Sequence, residues 1–109
     1  IEMTVKKRTD ADLKHLMHNC FMYMLNANLL KSQDTLFLSL KSLMFTLEQT
    51  EGLSREEQIK CLTYFFCDYN KGCTPPMTNS QIKDIVIPAI FSYRKVDISL
   101  SISILSAVL

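Results

Sequence analysis

Glycine is nearly missing from this chain of 109 residues: only Gly52 and Gly72 occur, with three prolines, Pro75, Pro76 and Pro88. A β-sandwich or barrel needs a turn about every 8–12 residues and draws on both residue types to make it, so those folds are excluded. A glycine-rich phosphate loop is excluded with them. Charge of one sign is lacking too. Twelve Lys+Arg stand against eleven Asp+Glu, a net charge of +1, which sets up no field to gather nucleic acid or anionic lipid. No long hydrophobic run occurs either. The longest uncharged apolar stretch, Ile98 to Leu109, is twelve residues, well short of the ~20 that span a bilayer. Lys6-Lys7-Arg8 has no apolar run behind it, so the pattern of a signal peptide is not met, and there is no Asn-x-Ser/Thr acceptor.

What is present is ordinary for a folded domain. Hydrophobic residues make up 48% and charged residues 21%, enough for one core and too short for two. Four cysteines, Cys20, Cys61, Cys67 and Cys73, could form two bridges, but a chain this rich in Leu, Ile, Phe and Met has a core and needs no staples. They are expected to be reduced, inside a cell, in cytoplasm or nucleus. The chain starts with Ile1 rather than Met and is expected to be a fragment or a processed product.

Apolar residues recur at helical spacing through most of the sequence. Thr9-Asp10-Ala11-Asp12 supplies a cap and acidic residues ahead of the stripe Leu13, Leu16, Met17, Cys20, Phe21 and Met24, which predicts a helix to about Leu30. Ser32 and Asp34 offer the next N-cap, before Leu36, Leu40, Leu43, Met44 and Leu47, and Gly52 closes that helix. Ser54-Arg-Glu-Glu57 is a capping box leading Ile59, Leu62, Phe65, Phe66 and Tyr69, closed by Asn70-Lys71-Gly72. Cys73 to Met77 holds Pro75-Pro76 and is a connection. Thr78-Asn-Ser-Gln81 is a second capping box, with Met77 and Ile82 placed as a hydrophobic staple. Ile82, Ile85, Val86, Ala89 and Ile90 form the stripe that follows. Pro88 falls within it and predicts a kink rather than a stop, since the stripe continues in phase. Over 98–104, Ile98, Leu100, Ile102 and Ile104 alternate with serines at the period of a strand. The same residues put Ile98, Ile102, Leu105 and Leu109 on one face of a helix.

Sliding the chain on itself by 62 residues gives a gapless match. Cys20, Tyr23, Met24, Leu25, Ala27 and Leu29 fall on Ile82, Ile85, Val86, Ile87, Ala89 and Phe91. Leu36, Leu38, Leu40, Leu43, Phe45 and Leu47 fall on Ile98, Leu100, Ile102, Leu105, Ala107 and Leu109, and Ser39 falls on Ser101. The segment Asp84-Ile-Val-Ile-Pro-Ala-Ile-Phe91, a turn over Arg94 to Asp97, and the apolar Ile98 to Leu109 together resemble a repeat of the HEAT/armadillo class. The likeness covers about a quarter of the chain well and another quarter weakly. It departs from the class in having only Ser99, Ser101 and Ser103 where a basic residue is usual, and in an offset above the usual ~40–47. The resemblance implies antiparallel helix pairs stacked as an α-α superhelix, over 10–50 and 78–109, with an intervening helix at 54–70.

Residues able to do chemistry are sparse. His15, His18 and Cys20 are the one grouping of metal-ligand types; zinc wants a fourth ligand, and i, i+3 is less usual than i, i+4. They read as surface histidines beside a buried thiol. Cys67 is followed by Asp68, which raises rather than lowers a thiol pKa, and no His is near Cys61, Cys67 or Cys73 in sequence. Glu56-Glu57 sits in a first helical turn, where it serves cap and dipole. The aromatic cluster Tyr64, Phe65, Phe66 and Tyr69 has only Lys60 and Lys71 beside it, so core packing is favoured over base stacking. Lys6-Lys7-Arg8 reads as a solvated tail, and Arg94-Lys95 as the complement of a helix C-terminus.

The sequence therefore predicts an all-α fold of about five helices, forming one helical domain or repeat fragment over 1–109. It predicts no catalytic residue, metal or cofactor. The expected role is non-enzymatic protein binding, as a segment of a helical-repeat scaffold. The alternative is a free-standing small bundle that holds a partner's amphipathic helix in a groove. Leu105, Val108 and Leu109 lie on an apolar stripe with nothing polar after them. That face is expected to meet neighbouring repeats or a second copy of the chain, with no nucleic acid or membrane involved.

Overall fold

The computed structural model describes residues 8–109. Of the basic tripeptide, Lys6 and Lys7 lie outside the described residues. The described residues hold five helices and no strand, which is the all-α fold the spacing predicts. Helix α1 spans Asp10–Asn26, α2 Gln33–Glu51 and α3 Arg55–Asn70. A continuous helical run over 79–92, here α4, consists of Asn79–Gln81, a π turn Ile82–Val86, and Ile87–Ser92. Helix α5 is Ile98–Val108.

Each helix start follows from its cap. Thr9, Ser54 and Thr78 each accept from the amide three residues on, and Asp12, Glu57 and Gln81 return the bond. Ser32 and Asp97 cap α2 and α5 without the return bond. Each such cap is worth ~0.5–2 kcal/mol. Gly52 ends α2 at φ 66°, a left-handed conformation that suits glycine. Helix α1 stops at Asn26 rather than near Leu30, because the chain turns at Ala27 and Asn28 takes φ 60°, which asparagine tolerates.

The helix does continue through Pro88. Proline gives residue 84 no amide, and its ring presses on that carbonyl. The preceding turn widens to π register, and the Ile87 N–H donates to the Ile82 carbonyl. The widened turn also resets the buried face. Ile82 and Ile87, five apart, both lie inward with Ile90, while Ile85 is 65% exposed and Val86 and Ala89 are half-buried. The α-periodic stripe expected through Ile85 is thereby corrected. In α3, Ile59 likewise lies outside, at 40% exposure, and Cys61 takes the inner position beside Leu62, Phe65 and Phe66.

The stretch 98–104 is helical. Of its serines, Ser99 and Ser103 are exposed and Ser101 alone faces inward. Ser101 is fully buried, its hydroxyl donates to the Ile98 carbonyl at 2.9 Å, and it meets the Thr46 hydroxyl of α2. Ser42 accepts the Asp97 N–H at 2.8 Å. Small side chains on both helices let them approach closely. Ser39, also fully buried on α2, has no hydrogen-bond partner for its hydroxyl.

Direction follows from the same contacts. Ser42–Asp97 and Thr46–Ser101 keep a constant separation of 55, so α2 and α5 run parallel. Asp10–Lys60 and His18–Asp68 keep a separation of 50, so α1 and α3 run parallel too. The closest backbone approaches are α1 with α3, α2 with α5 and α1 with α5, with α2 and α3 touching more lightly. Helix α1 makes no comparable approach to α4, its match at the 62-residue offset. The core is one cluster built from all five helices and the α2–α3 connection. Met17, Met24, Leu40, Leu43, Leu62, Phe65 and Ile104 lie at its centre.

Candidate functional site

One cleft is walled by elements distant in sequence. The α1–α2 connection contributes Leu30, Lys31 and Ser32, and the first turns of α2 give Leu36 and Phe37. Phe66 and Tyr69 come from the end of α3, Met77 from the connection, and Ile85, Val86 and Ala89 from α4. Its volume is about 350 Å³, within the range of small binding clefts. The π turn places Ile85 and Val86 on this wall. Turns of this kind recur at functional sites.

The walls are held from the second row. Asn70, at the end of α3, donates through Nδ2 to the Met77 carbonyl and accepts the Met77 N–H, both at 2.9 Å. That pair fixes the proline-containing connection and sets Met77 at the cleft. At the far end of α4, Lys41 Nζ donates to the Phe91 carbonyl at 2.7 Å. The Arg55 guanidinium lies 4.0 Å from the centre of the Phe91 ring, a favourable cation–π distance. A cation near the last carbonyls of a helix is stabilising, and α2 supplies it. Arg94 and Lys95, expected in that role from sequence, are exposed.

Phe66 and Tyr69 belong to an aromatic cluster that lies behind the cleft. Phe65 meets Phe66 and Phe21 edge-on at 5.3 and 5.6 Å and stacks on Tyr69 at 6.3 Å, the separations such pairs favour. Tyr64 and Tyr69 are half-buried. Burial, and then the neighbouring Cys73, push the Tyr69 phenol up from its usual value, so it stays a neutral hydroxyl at the cleft.

The residues with metal-ligand chemistry are not brought together. His18 Nδ1 lies 3.0 Å from Asp68 Oδ2 on α3. His15 Nε2 lies 3.2 Å from Asn19 Nδ2 along its own helix, and Cys20 is fully buried. No group of three or more His, Cys, Asp or Glu among the described residues could hold a metal. All four cysteines are unpaired, Cys67 exposed and Cys20 and Cys61 in the core. Burial is the main cause that pushes both buried thiols up to about 12; the neighbouring Cys61 thiol adds to the rise at Cys20, and at Cys61 Glu57 adds to it while Arg8 works against it. A nucleophile needs the opposite shift. Glu57 returns the bond to the Ser54 amide at 3.1 Å, while Glu56 is exposed.

Sequence reasoning missed Lys41, Asn70 and the outward turn of Ile85. Only Ile85 carried a signal, since a proline three residues on disturbs an α register. Compared with family models, with curated proteins and with solved structures, the chain matches none. No helix among the described residues is long and apolar enough to cross a membrane.

Proposed function

We propose that this chain is a non-enzymatic protein-binding module, a segment of a helical-repeat scaffold that works inside the cell and takes an apolar face of a partner helix into the cleft. The observation that carries the reading is the cleft wall at Ile85. A large aliphatic side chain stands 65% exposed beside Tyr69, Phe37 and Met77. Leaving such a side chain in water forgoes roughly 1.5–3 kcal/mol, which a docked amphipathic helix recovers through anchors at i, i+3, i+4 and i+7. Four unpaired thiols fit a reducing compartment.

A second reading, the free-standing bundle, is favoured by the helix contacts. Helices α1 and α2 are each flanked by α3 and α5, in the manner of a bundle closed on itself. Both readings use the same cleft.

The test is a selection of displayed helical peptides against the chain, with the site mapped by amide chemical-shift changes. Peptides with helical anchor spacing are expected to perturb Phe37, Tyr69, Met77 and Val86, and Ile85→Glu is expected to weaken them about tenfold or more. Ile85 is exposed enough for this change to leave the fold intact. Binders that map elsewhere and ignore Ile85→Glu would refute the cleft.

A further inference from the structure

A second groove, of about 530 Å³, runs between α3 and α4 and shares no lining residue with the Ile85 cleft. Its apolar part is Ile59 of α3, 40% exposed, with Ile87, Pro88 and Phe91 of α4. Apolar surface alone does not select an occupant, but the charges around this groove do. Among its lining residues Lys83 alone is charged, and it is exposed. At the other end, the Arg55 guanidinium lies over the Phe91 ring, 4.0 Å from its centre. Arg55 stands one turn before Ile59, so the two share a face of α3. Lys83 and Phe91 are eight residues apart on α4, about 12 Å along a helix. The groove is therefore apolar in the middle with a cation at each end.

Neither cation is paired. Among the described residues the ion pairs are Arg8–Glu51, His18–Asp68, Lys60–Asp10 and Lys71–Asp68, which leaves Arg55 and Lys83 without a carboxylate at ion-pair distance. Glu48 shares a small hollow with Arg55, and Glu56 and Asp84 follow the two cations in sequence. All three acids are exposed and none closes on either cation. A guanidinium resting on an aromatic ring is held in plane and keeps its N–H edge for a carboxylate, which it can grip with two parallel bonds. A purely apolar occupant would strip water from both charges and leave them unpaired. A basic one would be repelled. A segment with an acid at each end and an apolar residue between them matches all three parts of the groove.

We propose that the α3–α4 groove binds an acidic peptide segment of a partner protein. One carboxylate is held by Arg55 and one by Lys83, and the apolar side chain between them packs on Ile59, Ile87 and Pro88. In an extended segment, residues i and i+4 span about 13 Å and share a side with i+2, so acid, apolar and acid at alternate positions fit the groove. The surface is separate from the Ile85 cleft, so the proposal stands or falls independently of that reading.

Random peptides displayed on phage, selected on the whole chain and counter-selected on its Arg55→Glu variant, test it. Arg55 is exposed, and a Glu in the first turn of α3 suits the helix dipole, so the variant is expected to keep its fold; circular dichroism checks this. The recovered peptides are expected to carry Asp or Glu on both sides of an apolar residue and to shift the amides of Ile59, Lys83 and Phe91. Their binding is expected to weaken as salt rises. Lys83→Glu, on the opposite wall, is expected to weaken them about tenfold or more, and Ile85→Glu to leave them unchanged. Glu48→Gln is expected to tighten them about twofold by removing a competing charge. Recovery of no peptide that prefers the unaltered chain, peptides without acidic enrichment, or binding indifferent to Lys83→Glu would overturn the acidic partner.

Discussion

Cys20 and Cys61 sit wholly inside the core, and burial holds both thiols protonated far past their usual range, up to about 12 from 9.0. This ties stability to pH in a defined direction. The unfolded chain loses these protons near pH 9 while the folded chain keeps them. The contribution is therefore fully present below pH 9 and declines steadily as pH rises toward 12. For the two thiols together, the loss between pH 8 and pH 10 is roughly 2–3 kcal/mol. Urea unfolding at the two pH values should show it, and changing both cysteines to Ala should remove most of the difference. Equal stability at pH 8 and 10 would mean that the thiols are not desolvated in the folded state. At this scale the sequence read well for Cys20, placed inside by its helical stripe. It read less well for Cys61, since Ile59, three before Leu62 and seven before Phe66, takes the place in the helical stripe. Cys61, four before Phe65, is the residue that the fold buries.

Helix starts were the most legible elements, because a cap needs only a residue and its neighbour three positions on. Thr9, Ser54 and Thr78 each make the bond their type and spacing predict. Their consequences differ. Helix α3 buries five residues, Gln58, Cys61, Leu62, Phe65 and Phe66, whereas α4 buries Ile82, Ile87 and Ile90 alone. Ser54→Ala is expected to lower global stability by ~0.5–2 kcal/mol, visible as an earlier midpoint in denaturant. Thr78→Ala removes an equal bond from a lightly held helix, so its effect is expected mostly as faster amide exchange within 79–92. If Thr78→Ala moved the global midpoint as far as Ser54→Ala, α4 would be as deeply tied to the core as α3. The π turn was not legible in the periodicity, which assumes 3.6 residues per turn throughout. The cleft inherited that blindness, since Ile85 faces outward only in the widened register. Lys41 and Asn70 were hidden for another reason: their partners, Phe91 and Met77, are set by tertiary approach.

At the scale of the whole molecule, chain order and packing order part company. Helix α5 comes last, yet it lies against both α1 and α2, with Ser101, Ile104 and Leu105 buried. Helix α4 precedes it and stays at the side. Three inward isoleucines, the Lys41–Phe91 hydrogen bond and Arg55 over the Phe91 ring attach it to α2 and α3. Proteins open in cooperative units, and the units with least buried contact open first. Opening 79–92 would free a loop between the end of α3 and Asp97, while Ser42 and Thr46 keep α5 in place. Closing a longer loop costs little extra entropy, so α4 is expected to open alone. Native-state hydrogen exchange should show it: amides over 79–92 are expected to exchange at least about tenfold faster than the central amides of α2, which buries eight residues from Leu36 to Leu47. The central amides of α1, α3 and α5 are expected to share the slow behaviour of α2, because all four helices lose their common core together. The partner reading predicts one further change. A peptide seated against Ile85, Tyr69 and Met77 bridges α4 to α3, so its binding should slow exchange over 79–92 more than anywhere else. Equal protection across all five helices without peptide would show that α4 belongs to the same cooperative unit, and the cleft would then be a rigid feature of the fold.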